Sequence, residues 1–153
     1  MAWRELQTDE YKSTWDRFYA QFAFRPDYYE RTVSAIREPS PFNTFDLSQD
    51  ILEAQLDELN SIFANAFSAA SQPEHKMLAL DWQHTSYTFD PRESGAWQLG
   101  VYPDGDYYIF LASDFSFGTF GHPWQLSLCV FGQSLLDMTA DRVRGMLPVL
   151  RSG

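Results

Sequence analysis

The spacing of apolar residues changes partway along the chain, and this change constrains the fold more than any other feature of the sequence. Up to about residue 70, apolar side chains recur every three or four positions, the period of one helix face. From Met77 onward they recur every second position, the period of a strand. A chain that carries both patterns in succession has to pack helices against a sheet.

The first helix is expected to start at Thr8 as N-cap, with Asp9 and Glu10 placed to favour the helix dipole. It puts Tyr11, Trp15, Phe18, Tyr19 and Phe22 on one aromatic face and ends before Arg25-Pro26. The stretch from there to Pro41 includes Glu38-Pro39-Ser40-Pro41 and reads as irregular and extended, since each proline biases its predecessor away from helix. A second helix follows, with Ser48 as N-cap, Leu47 and Leu52 as a hydrophobic staple, and Leu56, Leu59, Phe63, Ala66 and Phe67 on one stripe. Running to about Ala70, it makes six turns and turns Asp50, Glu53 and Asp57 outward as an acidic ridge.

In the second half, Leu78, Leu80 and Trp82 share one face of a strand. Tyr87 and Phe89 have the opposite parity, which requires a bulge or break between Gln83 and Ser86. Trp97 to Leu111 reads as a hairpin about Tyr102-Pro103-Asp104-Gly105-Asp106. A two-residue turn at Asp104-Gly105 pairs Val101 with Tyr108. A three-residue loop with Gly105 in the left-handed region pairs Val101 with Tyr107, and gathers Trp97, Leu99, Val101, Tyr107, Ile109 and Leu111 on one face. The second register has the cleaner apolar face and is preferred. A Phe- and Gly-rich loop over 113–123 leads to a strand with Trp124, Leu126, Leu128 and Val130 facing inward, ended by Gly132. The last helix is expected to have Thr139 as N-cap and a Met138/Val143 staple and to stop before Pro148, leaving Arg151-Ser152-Gly153 frayed. The expected architecture is one α+β domain over 1–153: an antiparallel sheet of at least four strands packed with two or three helices.

Composition narrows the classes of function. The chain has 153 residues and a single cysteine, Cys129, so it has no intrachain disulfide and no Cys-based zinc site. Its first ten residues lack the apolar core of a secretion signal, and no apolar run approaches the ~20 residues that span a bilayer, so the expected location is the cytoplasm and no membrane is expected as partner. With 11 Lys+Arg against 21 Asp+Glu, the formal charge is −10, which disfavours binding to a phosphate backbone; nucleic acid is not expected as a partner. No basic residue lies between Arg37 and Lys76, a span with seven acids, or between Arg92 and Arg142, a span with six. Solvated faces have this composition, and so does a surface that attracts a basic protein.

No P-loop, dinucleotide glycine fingerprint, G-x-S-x-G elbow, H-E-x-x-H or EF-hand loop is present, and nothing in the sequence calls for a cofactor. Two short clusters carry polar chemistry: Asp81-Trp82-Gln83-His84 and Gly121-His122-Pro123-Trp124. On a regular strand residues 81 and 84 point to opposite faces, so only the expected break can bring the carboxylate and imidazole together. If the strands over 77–89 and 124–131 are neighbours, His84 and His122 with Asp81 or Asp114 make an acid/base pair or a metal site. The structural alternative places these histidines and tryptophans at the sheet margin and Phe115, Phe117 and Phe120 in the core. An aromatic pocket of Trp82, Trp97, Tyr108 and Trp124 is a third arrangement, whereas Cys129, mid-strand, reads as a buried inert thiol.

The segments Asp81-Trp82-Gln83-His84, Tyr102 through Leu111, and Gly118-Thr119-Phe120-Gly121-His122-Pro123-Trp124 through Gly132 together resemble a bacterial family, the domain-of-unknown-function family 2716. The resemblance covers most of the chain and implies no activity and no catalytic residue. By analogy with other small acidic bacterial proteins, the leading expectation is a protein-binding module, an immunity or antitoxin-like inhibitor, presenting Asp50, Glu53, Asp57, Asp104 and Asp106 to a basic partner. The competing expectation is an enzyme or small-molecule binder with a pocket near Asp81, Trp82, His84, Tyr108, Asp114, His122 and Trp124.

Overall fold

The computed structural model describes residues 3–26, 35–93 and 95–153. In chain order the elements are β1 (Trp3–Glu5), α1 (Thr8–Gln21), β2 (Phe42–Asp46), α2 (Glu53–Ala70), β3 (Met77–Asp81), β4 (Tyr87–Phe89), β5 (Tyr108–Ala112), β6 (Gly118–His122), β7 (Ser127–Phe131), α3 (Gln133–Arg144) and β8 (Val149–Ser152). The strands form one sheet in the order β1-β4-β3-β5-β6-β7-β2-β8, antiparallel throughout. The fold is α+β, as the change of period implies.

Both faces of the sheet are covered. Alternate residues of the inner strands feed two cores. Met77, Ala79, Phe89, Phe110, Leu128 and Val130 pack with Leu59, Phe63 and Phe67 of α2 and Leu135 and Val143 of α3. Leu80, Ile109, Leu111, Phe120, Cys129 and Phe131 pack with Trp15 and Phe18 of α1 and with Phe22 just beyond it. The aromatic face expected of the first helix therefore exists, although Tyr19 stays 39% exposed at its margin. Phe115, Phe117 and Phe120 are all buried.

The helix starts differ from expectation at every N-cap. Gln7, not Thr8, caps α1, and its backbone N–H donates to Glu10 at 3.3 Å. Ser48 is not a cap: it lies in a non-helical stretch, where its N–H donates to the Asp46 carboxylate at 2.8 Å. The helix begins at Glu53, capped by Leu52, so it has 18 residues rather than six full turns. No Leu47/Leu52 staple forms: Leu47 is buried and Leu52 is 69% exposed. Thr139 lies inside α3, buried, with its hydroxyl donating to the Leu135 carbonyl one turn earlier at 2.8 Å. A threonine satisfied in that way resembles a cap in sequence but sits mid-helix.

The expected break at 83–86 is present, as a full chain reversal, so 77–89 is a hairpin of β3 and β4 with Gln83 at φ 62. Other strand expectations are corrected. No hairpin spans 97–111, in either register. Both edges of β5 are occupied, by β3 and β6, and the 97–101 run instead crosses the α2 side, where the Val101 N–H donates to the Asn60 side chain at 3.0 Å. Trp97, Leu99 and Val101 thus belong to one core and Tyr107, Ile109 and Leu111 to the other. Gly105 does adopt positive φ, +78. The 113–123 stretch contains β6, and Trp124 is not inward but 50% exposed in the turn before β7. At the C-terminus, Val149–Ser152 is paired with β2 rather than frayed. The irregular stretch expected between Pro26 and Pro41 lies outside the described residues over 27–34; from 35 to 41 it is irregular as expected.

β5 and β6 approach so closely that a Cβ on Gly118 would stand 2.1 Å from the Phe110 carbonyl oxygen. Gly118→Ala is expected to cost more than about 2 kcal/mol in urea unfolding, since backbone must move. Gly105→Ala, where nothing lies within 4 Å, is expected to cost only the about 1 kcal/mol of a strained positive φ. Equal losses for the two variants would contradict the packing described.

Candidate functional site

One end of the sheet collects the polar chemistry. Asp81 ends β3, and its register partner on β5 is Tyr108, whose partner on β6 is Gly121. The three segments that carry the family resemblance therefore end side by side on three adjacent strands. Gly121 also makes room for the loop between: a Cβ there would press on Pro103 at 3.1 Å.

The β3–β4 turn is pinned by Ser86, which is fully buried. Its hydroxyl accepts the Asp81 N–H at 3.2 Å and the Trp15 indole N–H at 3.3 Å. The His84 N–H donates to the Asp81 carbonyl at 3.0 Å. This reversal brings the His84 imidazole onto the Asp81 carboxylate, Nδ1 to Oδ1, at 3.1 Å, the encounter that only a break could allow. The same Nδ1 lies 3.1 Å from Asp106 Oδ2. The other Asp106 oxygen accepts the Tyr107 N–H at 2.9 Å, which fixes the carboxylate.

The electrostatics follow from this geometry. The hydrogen bond to Asp81, then the charges of Asp81 and Asp106, raise the His84 pKa above its ordinary value. Asp81 is raised mainly by burial, with Asp106 adding to that, while His84 works in the opposite direction. Burial raises the Tyr108 hydroxyl, helped by the charges of Asp81, Asp104 and Asp106. Asp81, His84 and Asp106 each offer one ligand atom, all within 4.8 Å of one another, a spacing that a divalent cation could bridge.

Beside this corner runs a groove of about 400 Å³, lined by Leu56 and Asn60 of α2 and by Leu99, Tyr102, Asp104 and Tyr108. Glu53 and Asp57 are exposed on the same line of α2 as Asn60, at intervals of four and three residues. Asp50 is also exposed but lies in the non-helical segment before α2, outside the expected ridge, against a smaller pocket with Ile51 and Met146. Among the described residues no lysine or arginine pairs with Asp50, Glu53, Asp57, Asp81, Asp104 or Asp106.

The remaining expected site residues lie elsewhere. β3 and β7 are separated by β5 and β6, so the neighbouring that would join His84 to His122 does not occur. His122 packs on the Tyr107 ring at 4.9 Å, and Tyr107 in turn meets Trp82 at 5.8 Å, both on the α1 side. Trp82 donates its indole N–H to the Tyr19 hydroxyl at 2.8 Å. Asp114 is at the opposite end of β5, accepting from Ser116. Trp97 belongs to the α2 core and stacks on Phe110, so no pocket joins it to Trp82 and Trp124. Cys129 is buried, and burial raises its thiol pKa well above the ordinary value. The sequence reading missed the meeting of Asp106 with His84, for which the sequence holds no local signal, and the role of Asn60 in holding the 97–101 segment.

The chain belongs to the family described as "Protein of unknown function (DUF2716)", whose model matches residues 5–136. It is 32% identical over 151 residues to the uncharacterized protein YxiI of Bacillus subtilis (strain 168), an alignment that covers 90% of this chain and 91% of that protein. No solved structure matches it. No helix among the described residues is long and apolar enough to cross a membrane.

His122 supplies a pH test of the structure. It is buried, and its Nδ1 accepts the Gln125 N–H at 3.1 Å, so the neutral ring carries its proton on Nε2, which has no partner among the described residues. Burial, and then the nearby Arg151 charge, push its pKa down to about 4. The unfolded chain takes up this proton near the ordinary 6.5, so the group's contribution to stability is lost as pH falls from about 6.5 to about 4 and amounts to about 3 kcal/mol. The expected result is that His122→Gln flattens the pH dependence of urea stability across that window. Parallel profiles for wild type and variant would contradict it.

Proposed function

We propose that this protein is a cytoplasmic protein-binding module, an immunity or antitoxin-like inhibitor, that holds a basic partner at the acidic corner formed by Asp81, Asp104 and Asp106 with Glu53 and Asp57 of α2. One observation carries the reading: an open groove lined by Leu56, Leu99, Tyr102 and Tyr108, with the polar Asn60 and Gln98, also takes the Asp104 carboxylate into its lining, with Asp81 and Asp106 near Tyr108. A lysine or arginine side chain has the matching chemistry, an aliphatic stem for the apolar lining and a charged head for the carboxylates. The surplus of acid supports the same reading. Elsewhere the arginines and lysines are engaged locally, as in Arg4 with Glu10, Lys12 with Asp16 and Arg151 with Glu38, while the corner's carboxylates are left without any of them among the described residues. Long-range attraction from a net charge of −10 would speed encounter with a cationic surface.

The test is affinity capture from lysate of the source bacterium, comparing wild type with the triple reversal Asp57→Lys, Asp104→Lys, Asp106→Lys, after circular dichroism shows that both are folded. The expected result is a basic protein retained by wild type and lost by the variant, with an association rate that falls at least about tenfold between low and physiological salt. Retention of the same proteins by both forms would overturn the proposal.

A further inference from the structure

A second polar site lies away from that corner, where α3 crosses the β2–β8 edge of the sheet. Asn43 of β2 has Val130 of β7 as its register partner, and Val130 belongs to the core beneath α2 and α3. Register partners share a face, so the Asn43 side chain points to that same side, as does the fully buried Phe45 two residues on. An apolar side chain suits such a position. It holds a carboxamide instead, in a residue only 7% exposed, and no side-chain hydrogen bond satisfies that carboxamide among the described residues. Buried amides are normally paired, and an unpaired one is costly unless another molecule supplies the partners.

Asn43 lines a groove of about 360 Å³ whose helix wall is Leu136, Asp137, Ala140 and Arg144 of α3, with Ser152 of β8 beside Asn43 on the sheet wall. Asp137 and Arg144 are seven residues apart, which is two turns, so they stand on one line of the helix with about 10.5 Å between their Cα atoms. At that spacing they do not neutralise each other. Asp137 meets no cation among the described residues and accepts only the Gln133 side-chain amide, at 2.7 Å. Arg144 has only a loose contact with Asp141, at 3.9 Å, and its side chain stays 52% exposed. Ala140 lies between the two charges and ends at Cβ, so the helix wall is low over the middle of the groove.

We infer that this groove binds a short peptide with free ends, about three residues long, with its ammonium on Asp137, its carboxylate on Arg144 and a central peptide group on Asn43. The site is independent of the acidic corner, and three parts of its chemistry match this ligand. A carboxamide presents an N–H donor and a carbonyl acceptor, the complement of the carbonyl and N–H of a peptide group. A guanidinium holds a carboxylate by two parallel hydrogen bonds. An extended chain of three residues spans about 10 Å, close to the separation of the two charges along the helix. A purely cationic ligand is repelled by Arg144 and a purely anionic one by Asp137, so both charges are needed. Ala140 and Ser152 are too small to form a pocket for any particular side chain, so the site reads the ends and backbone of the peptide rather than its sequence.

The test is an NMR titration of the isotope-labelled full chain with trialanine, carried to about 10 mM because a ligand of this size binds weakly. Trialanine is expected to shift the resonances of Asn43, Asp137 and Arg144. The peptide acetylated at one end and amidated at the other has lost both charges and should bind at least about tenfold more weakly. Two variants assign the ends: Asp137→Asn should weaken trialanine at least about fivefold but leave N-acetyl-trialanine unchanged, and Arg144→Gln should do the same for trialanine but not for trialanine amide. Both residues are exposed, so these variants keep the fold. Asn43→Leu should lose binding of every form of the peptide without losing stability to urea, whereas a merely structural carboxamide would cost stability when replaced. Absence of shifts at these residues, equal binding of the doubly blocked peptide, or equal losses for blocked and free peptides in the charge variants would overturn the inference.

Discussion

The central strand of this sheet is apolar on both sides. From Tyr107 to Ala112 every residue but Tyr108 is buried, with Ile109 and Leu111 facing α1 and Phe110 and Ala112 facing α2. A strand of this kind cannot leave one face in water, so the chain has to supply a layer on each side. Two helices cover one face. The other is covered by α1, and a single helix has less to offer, which accounts for its aromatic load: Trp15, Phe18 and the following Phe22 and Phe24 form edge-to-face and stacked contacts with one another and with Phe120. Such ring pairs contribute about 0.5–1.5 kcal/mol each beyond the area they bury.

The same constraint decides where polar chemistry can go. With both faces of the sheet dry, carboxylates and imidazoles are confined to strand ends or must be buried with partners. The two histidines treated above illustrate the two outcomes. His84, beyond the end of β3, is exposed, held by carboxylates and favours its charge. His122, the last residue of β6, is buried near Arg151 and remains neutral down to about pH 4. Glu38 and Arg151 show the cost of the buried alternative, since Glu38 is satisfied only by taking Arg151 at 2.5 and 3.0 Å and the Thr44 hydroxyl as well. Of these two arrangements, the one at the strand end leaves its carboxylates accessible to another molecule.

Much of this was legible in the sequence where a local pattern had one physical meaning. The stripe of α2 from Leu59 to Phe67 and the positive φ of Gly105 follow from rules that tertiary structure does not override here. So does the break at 83–86, since a parity change has no other remedy. What failed were inferences about which partner a segment takes. Trp97, Leu99 and Val101 alternate like a strand, but β5 had no free edge, and the alternation was met by α2 and the Asn60 side chain instead. β6 was hidden because Gly118 and Gly121 read as loop, whereas they are there for close approach to β5 and Pro103. β8 was hidden because its strand character comes from the open edge of β2 and the Arg151–Glu38 pair. Of the site, Asp81 with His84 could be read from their spacing across a break; Asp106 could not, because its place there depends on the strand order.

The account depends most on that convergence of Asp81 and Asp106 on one imidazole, and the direct measurement is an NMR titration of the His84 ring in wild type, Asp81→Asn and Asp106→Asn. The structure predicts a His84 pKa above 6.5 in wild type, lowered by either substitution, and more by the loss of Asp81 than of Asp106. A wild-type value at or below 6.5, or one that Asp106→Asn leaves unchanged, would mean that the two segments do not meet and would contradict the account.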